Sequence, residues 1–190
     1  MLGQTLVRST EDGDIHCRIV ETESYGGAED KGSHAYNNRR TARTENMFAP
    51  GGIAYVYLIY GMYHCVNVVV GDADDPQAVL IRAVEPLSKR DEQLMWKYRG
   101  KVSGKAANLS NGPGKLCRAL RIDKSLNGCP LNHAGSPLRL EEGEVFSDSL
   151  LQAPRVNIDY AAEYANKPWR FYIADHPYVS IRDKNAQPVR

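Results

Sequence analysis

Apolar and polar positions alternate along this chain in several short runs, separated by turn residues. Cys17 to Tyr25 alternates as a strand. Ala54 to Ile59 and Tyr63 to Val70 read as two more, joined by Tyr60-Gly61-Met62, where Gly61 supplies the backbone angles that a tight hairpin turn requires. Ala78 to Val84 is a further strand, broken in pattern only by Arg82. Leu138 to Leu140, Phe171 to Ile173 and Tyr178 to Ile181 are shorter strand candidates. Ser88 stands where a helix cap belongs, before a helix running to about Arg99 with Leu94, Met95 and Tyr98 at helical spacing. Another helix starts at Asn111-Gly112-Pro113-Gly114-Lys115, since proline suits a first helical turn and Leu116 and Leu120 then share a buried stripe. Strands and helices without regular alternation predict an α+β fold. We expect one compact domain over residues 1–190, with a mixed or antiparallel curved sheet, surrounding helices and a protruding hairpin.

The hairpin has an unusual composition. Four of the 11 tyrosines fall between Tyr55 and Tyr63, in a chain with 3 phenylalanines. Tyrosine-rich strands are most often half-buried sheet. Here, however, Tyr60 and Met62 occupy the tip, and an apolar tip is costly in water unless something receives it. A gap between stacked DNA bases is one such receiver.

Length and charge narrow the classes. The 190 residues suffice for one hydrophobic core. No run approaches the roughly 18 apolar residues of a membrane span, and the start of the chain does not resemble a secretory leader, so a cytoplasmic protein without a membrane partner is expected. Cys17, Cys65, Cys117 and Cys129 are too scattered for a zinc site and are expected to be buried reduced thiols, with no metal and no cofactor. A net charge of +1 counts against nucleic-acid binding. The charge is uneven, though. Residues 11–30 are mostly acidic, while Arg39, Arg40 and Arg43 cluster, as do Lys97, Arg99, Lys101 and Lys105, and then Lys115, Arg118, Arg121 and Lys124. A fold could gather these on one face, although scattered charge is usually just solvated. The backbone N–H groups beside Lys115 suit a phosphate or simply an ordinary helix start.

Glu21-Thr22-Glu23-Ser24-Tyr25 places two carboxylates and a ring on one face of a strand. Paired acids on a strand are usually surface. This pair is followed by Ser33-His34, Arg39, Arg43, Met47-Phe48, the tyrosine hairpin with Cys65 and Asn67, Leu80-Ile81-Arg82-Ala83-Val84-Glu85-Pro86, Gly112-Pro113-Gly114-Lys115-Leu116-Cys117, Arg155-Val156 and Lys167-Pro168-Trp169-Arg170-Phe171-Tyr172. In this order and over nearly the whole chain, the motifs resemble the alkyladenine (3-methyladenine) DNA glycosylase family, in its short bacterial form.

The resemblance implies a monomeric, nucleoid-associated base-excision enzyme that acts on double-stranded DNA containing damaged purines. 3-Methyladenine, 7-methylguanine and hypoxanthine are the implied substrates, with ethenoadenine an open case. It implies that Glu23 activates water, helped by Arg82 and the carbonyl of Val156. Tyr25, His34, Tyr57 and Asn67 would form the base pocket, Asn67 crowding the 2-amino group of guanine. Tyr60 and Met62 would enter the DNA stack, and Arg39, Arg43 and Lys115 would meet its backbone. No lysine nucleophile stands in the matched motifs, so no strand cleavage is expected. The chain departs from the pattern of the family it resembles at His64, where a larger apolar ring can occur, and at Asn37-Asn38 and Asn157, where glycine can occur. Two other readings remain: a non-catalytic nucleic-acid-binding module, and a metal-dependent nuclease built on Glu21 and Glu23.

Overall fold

The computed structural model describes residues 1–100, 104–144 and 149–189. Lys101, one of the clustered cations, lies outside them. The strands β1 (Thr5–Thr10), β2 (Gly13–Gly26), β3 (Ala54–Ile59), β4 (Tyr63–Val69) and β5 (Gln77–Pro86) precede the helices α1 (Lys89–Arg99) and α2 (Pro113–Ala119). Strands β6 (Leu138–Glu141), β7 (Leu150–Ala153), β8 (Arg170–Ile173) and β9 (Gln187–Pro188) follow. Among the described residues they form one sheet in the order β3-β4-β5-β2-β8-β7-β9, with β1 and β6 branching from β2, and every pairing is antiparallel. The α+β class and the single sheet agree with the sequence pattern. No described helix is long and apolar enough to cross a membrane.

The core forms where α1 and α2 cover the sheet. Met95 of α1 packs on Cys17 of β2, with Leu116 and Leu120 at α2 buried beside Ile19, Ile81 and Val84. Ser88 caps α1 as its side chain accepts the Asp91 N–H. The four cysteines are free, and three of them are buried.

Two departures from the sequence pattern bear on function. The β2–β5 register pairs Ile19 with Val84, Glu21 with Ala83 and Thr22 with Ile81, so Val20 on one strand and Arg82 on the other are skipped. Such a bulge bends the ladder and re-aims side chains. Arg82, the residue that broke the apolar pattern, sits at that irregularity and reaches both Glu21 and Glu23. The other departure is a correction. Tyr178 to Ile181 is not a strand. The Ser180 N–H donates to the Glu21 carboxylate (2.6 Å), and the Ile181 carbonyl accepts from Arg170 (2.7 Å), so buried charges take the backbone groups that a ladder would have used.

Candidate active site

Glu21 and Glu23 share a strand face, as their spacing predicts, but that face is not solvated: both carboxylates are wholly buried. Burial of two like charges requires partners. Glu21 accepts from Arg82 Nε (3.1 Å), Arg170 Nη1 (3.1 Å), and the N–H and hydroxyl of Ser180. Glu23 accepts from the Val156 N–H (2.7 Å) and the Tyr25 hydroxyl (3.0 Å), with Arg82 Nη1 at 3.3 Å. Burial alone would make Arg82 easier to deprotonate, but Glu23 and Glu21 more than offset it, and its pKa is raised. Charges thus alternate through the sheet as Glu23, Arg82, Glu21 and Arg170.

Glu23 opens on a cavity of about 300 Å³, at the small end of ligand pockets. The lining brings together Tyr25, His34, Tyr57, Asn67, Arg82 and Val156 from β2, β3, β4, β5 and two loops. His34 and Tyr57 meet edge to face at 4.6 Å between centroids. His34 Nδ1 lies 3.0 Å from the hydroxyl of Tyr55, which was not among the residues expected to form the base pocket. Tyr55 also lines the cavity, and its two-residue spacing from Tyr57 was the signal that both rings share a strand face. Burial, with Arg43 and Arg39 adding to it, lowers His34 to a pKa of about 4, so its ring is neutral at neutral pH. Burial pushes Tyr55 up to about 12, and holds Tyr57 and Tyr25 well above the usual phenol range. Asn67, buried, donates its side-chain amide to the Tyr55 carbonyl (3.0 Å).

At the hairpin tip Tyr60 and Gly61 both take positive φ (54° and 69°), and the Met62 N–H returns to the Ile59 carbonyl. This places strain on Tyr60 as well as using the freedom of Gly61. Tyr60 is 76% exposed yet still lines the cavity, while Met62, 68% exposed, faces a separate hollow with Tyr63, His64 and Arg118. Tyr160, 70% exposed, stands at the cavity too and went unnoticed in the sequence. Asn37, Asn38 and Asn157 all adopt positive φ (57°, 56° and 59°), a conformation that glycine takes without strain.

The predicted backbone cations are placed less uniformly. Arg39 and Arg43 line a neighbouring hollow with Lys31, which shares Ser33, His34 and Tyr160 with the main cavity. Arg43 also lies over the Tyr57 ring, 5.1 Å from its centroid. Lys115 bonds Asn111 (2.7 Å) and does not line the cavity, although its neighbours Pro113 and Gly114 do. Arg40, Lys97 and Arg121 are instead taken up by Glu45 and Asp74, by Asp12 and by Glu11.

A family model described as methylpurine-DNA glycosylase matches residues 1–177. The chain belongs to the methylpurine-DNA glycosylase family. It is 51% identical over 181 residues to a protein of Natranaerobius thermophilus named "Putative 3-methyladenine DNA glycosylase", covering 95% of this chain and 90% of that one. Proteins of the same name from Desulfitobacterium hafniense (48% over 188 residues; 96% and 91% covered) and Bacillus cereus (48% over 185 residues; 95% and 90% covered) are also similar. Membership in the methylpurine-DNA glycosylase family makes the protein an enzyme of DNA repair, a hydrolase acting on DNA. The aromatic cavity with its buried carboxylate therefore lies in a protein whose family handles methylated purines in DNA.

Proposed function

We propose that this glycosylase rotates a damaged purine out of duplex DNA into the aromatic cavity and hydrolyses its N-glycosidic bond, leaving an abasic site. The observation that carries this reading is Glu23: a carboxylate held by Arg82, Tyr25 and Val156 on the lining of a slot walled by tyrosines. Extrusion costs a few kcal/mol, and stacking on an aromatic side chain returns roughly 1–3 kcal/mol per base. Tyr25 and Tyr57, with His34, supply such walls, and the exposed Tyr60 fills the vacated place in the stack. Met62 enters beside it, while Arg39, Arg43 and Lys115 meet the phosphates. Asn67 crowds the 2-amino group of an undamaged guanine.

In the reaction Glu23 takes a proton from a water that the Val156 carbonyl and Arg82 help to hold. The water oxygen bonds to the anomeric carbon as the carbon–nitrogen bond breaks, and the base leaves with that electron pair. The carboxylate also stabilises positive charge that develops on the sugar. A cationic alkylated purine leaves as a neutral base. 3-Methyladenine and 7-methylguanine fit this scheme directly; hypoxanthine, neutral in the nucleotide, leaves as the anion and takes up a proton from solvent. The described lining contains no lysine, in keeping with an enzyme that stops at the abasic site. We infer a monomer working on double-stranded DNA in the bacterial cytoplasm.

A duplex carrying a single hypoxanthine tests the reading. Incubated with the protein in EDTA, it is expected to break at that site only after alkali. Intact strands after alkali, with methylated DNA as well as with hypoxanthine, would refute base excision. Breakage that EDTA abolishes would favour a metal-dependent nuclease instead.

A further inference from the structure

Behind Tyr25 lies an ion pair that the proposed chemistry does not use. Arg155 and Asp30 are both wholly buried and bond bidentately, Nη1 to Oδ2 at 2.6 Å and Nη2 to Oδ1 at 2.8 Å. Asp30 also accepts the N–H groups of Gly26 (3.0 Å) and Gly32 (2.9 Å), and Arg155 donates to the Ser24 carbonyl (3.0 Å). The guanidinium carbon stands 4.6 Å from the centroid of the Tyr25 ring and 5.1 Å from that of Trp169. Tyr25 lines the cavity and Arg155 does not, so the cation covers the face of Tyr25 that is turned away from the cavity.

This placement has an electrostatic consequence. A cation over an aromatic ring draws on the negative potential of its π system. With Arg155 on one face, a second cation on the cavity face of Tyr25 meets a partly spent ring and the charge behind it. A neutral base loses nothing by comparison. The bidentate carboxylate of Asp30 limits the effect by balancing the arginine. We propose that Arg155 is a positioning residue that sets lesion preference through Tyr25, favouring neutral damaged bases over cationic ones, with Asp30 tuning how strongly it does so.

The inference rests on base excision being the reaction, so the test reads two lesions. Single-turnover release of 3-methyladenine, cationic while it is bonded to the sugar, and of hypoxanthine, neutral there, is measured for the wild type and two variants. Asp30→Asn with Arg155→Gln removes both charges and keeps hydrogen-bonding groups. It is expected to raise the ratio of 3-methyladenine to hypoxanthine rates about fivefold, the effect of one cation–π contact. Asp30→Asn alone leaves the arginine unbalanced and is expected to lower the same ratio. Either variant suffices if the other does not fold, as judged by its melting curve. An equal loss on both lesions, with the ratio unmoved, would mean that the pair is purely structural and overturn the proposal, as would shifts opposite to those stated. If the wild type releases neither base, base excision itself has failed; a wild type that releases both, with an unmoved ratio, defeats only this inference.

Discussion

Arg82 Nη1 lies 3.3 Å from the carboxylate of Glu23, and both side chains are withdrawn from water. The Nε of the same guanidinium is committed to Glu21, so Arg82 is anchored at one side and presents the other to Glu23. Two carboxylates two residues apart on β2 thereby acquire different work. Glu21 is enclosed by arginines and Ser180, whereas Glu23 reaches the cavity.

Replacing Glu23 by Gln keeps the shape of the side chain and removes its capacity to accept a proton from water. Excision is expected to fall by at least about 10²–10⁴-fold, the usual contribution of a positioned general base. Binding to lesion DNA, measured by gel shift, should stay close to that of the wild type. A variant that still excises but has lost binding would refute the catalytic role.

Glu21→Ala should act on the fold. It leaves Arg82 and Arg170 buried without their shared counter-charge and frees the Ser180 N–H. Breaking a buried ion pair of this kind costs about 3–5 kcal/mol. We expect a large fall in the melting temperature, read by circular dichroism. If stability is retained and only excision is lost, Glu21 belongs to the chemistry and the division of labour above is wrong.

Tyr60 is set apart from the core by its exposure and by its positive φ (54°). Tyr60→Asn places a residue that tolerates this conformation at the tip and deletes the ring. Stability should be unchanged or slightly raised, while affinity for lesion-containing duplex drops. A collapse of the melting temperature would make the tyrosine a packing residue.

Much of this arrangement was legible in the sequence, for physical reasons that can be named. Period-two alternation gives away β2, apolar runs give away β3 and β4 around a glycine turn and then β5, and the spacing of Glu21, Glu23 and Tyr25 puts them on one face. What alternation cannot convey is which charges are buried. Glu21 and Glu23 read as surface because their partners, Arg82, Arg170 and Val156, arrive from about 60 to 150 positions away. The same long-range bonds explain the one misplaced strand, since Tyr178 to Ile181 is mostly apolar yet Ser180 and Ile181 spend their backbone groups on Glu21 and Arg170. Strands β1, β7 and β9 went unassigned: their patterns are short, and β1 is recognised through its pairing with β2 and β6.

His34 gives the protein a specific pH dependence. Its pKa is lowered from an ordinary 6.5 to about 4, chiefly by burial and then by Arg43 and Arg39. Between those values the unfolded chain takes up a proton that the folded chain refuses. Stability is therefore fully present above about pH 6.5 and declines as the pH falls towards 4. His34→Gln should remove part of that decline. Imidazole resonances followed by NMR are expected to place the His34 midpoint near 4; a midpoint near 6.5 would show that the ring is solvated.

Asn67 tests the selectivity of the cavity. Its side-chain amide is tied to the Tyr55 carbonyl across the β3–β4 ladder, where the two residues are register partners, so it cannot easily swing aside for a larger base. Asn67→Ala opens space in the cavity lining and leaves the Tyr55 carbonyl with one partner fewer, at a cost of about 1–3 kcal/mol. The variant is expected to release guanine from undamaged duplex, slowly but above the wild-type background, and to retain hypoxanthine excision within about tenfold, roughly the 1.4 kcal/mol of one lost hydrogen bond. Release is measured by chromatography of the freed bases. A variant that still excises hypoxanthine but frees no guanine would mean that another wall, not Asn67, turns the normal purine away.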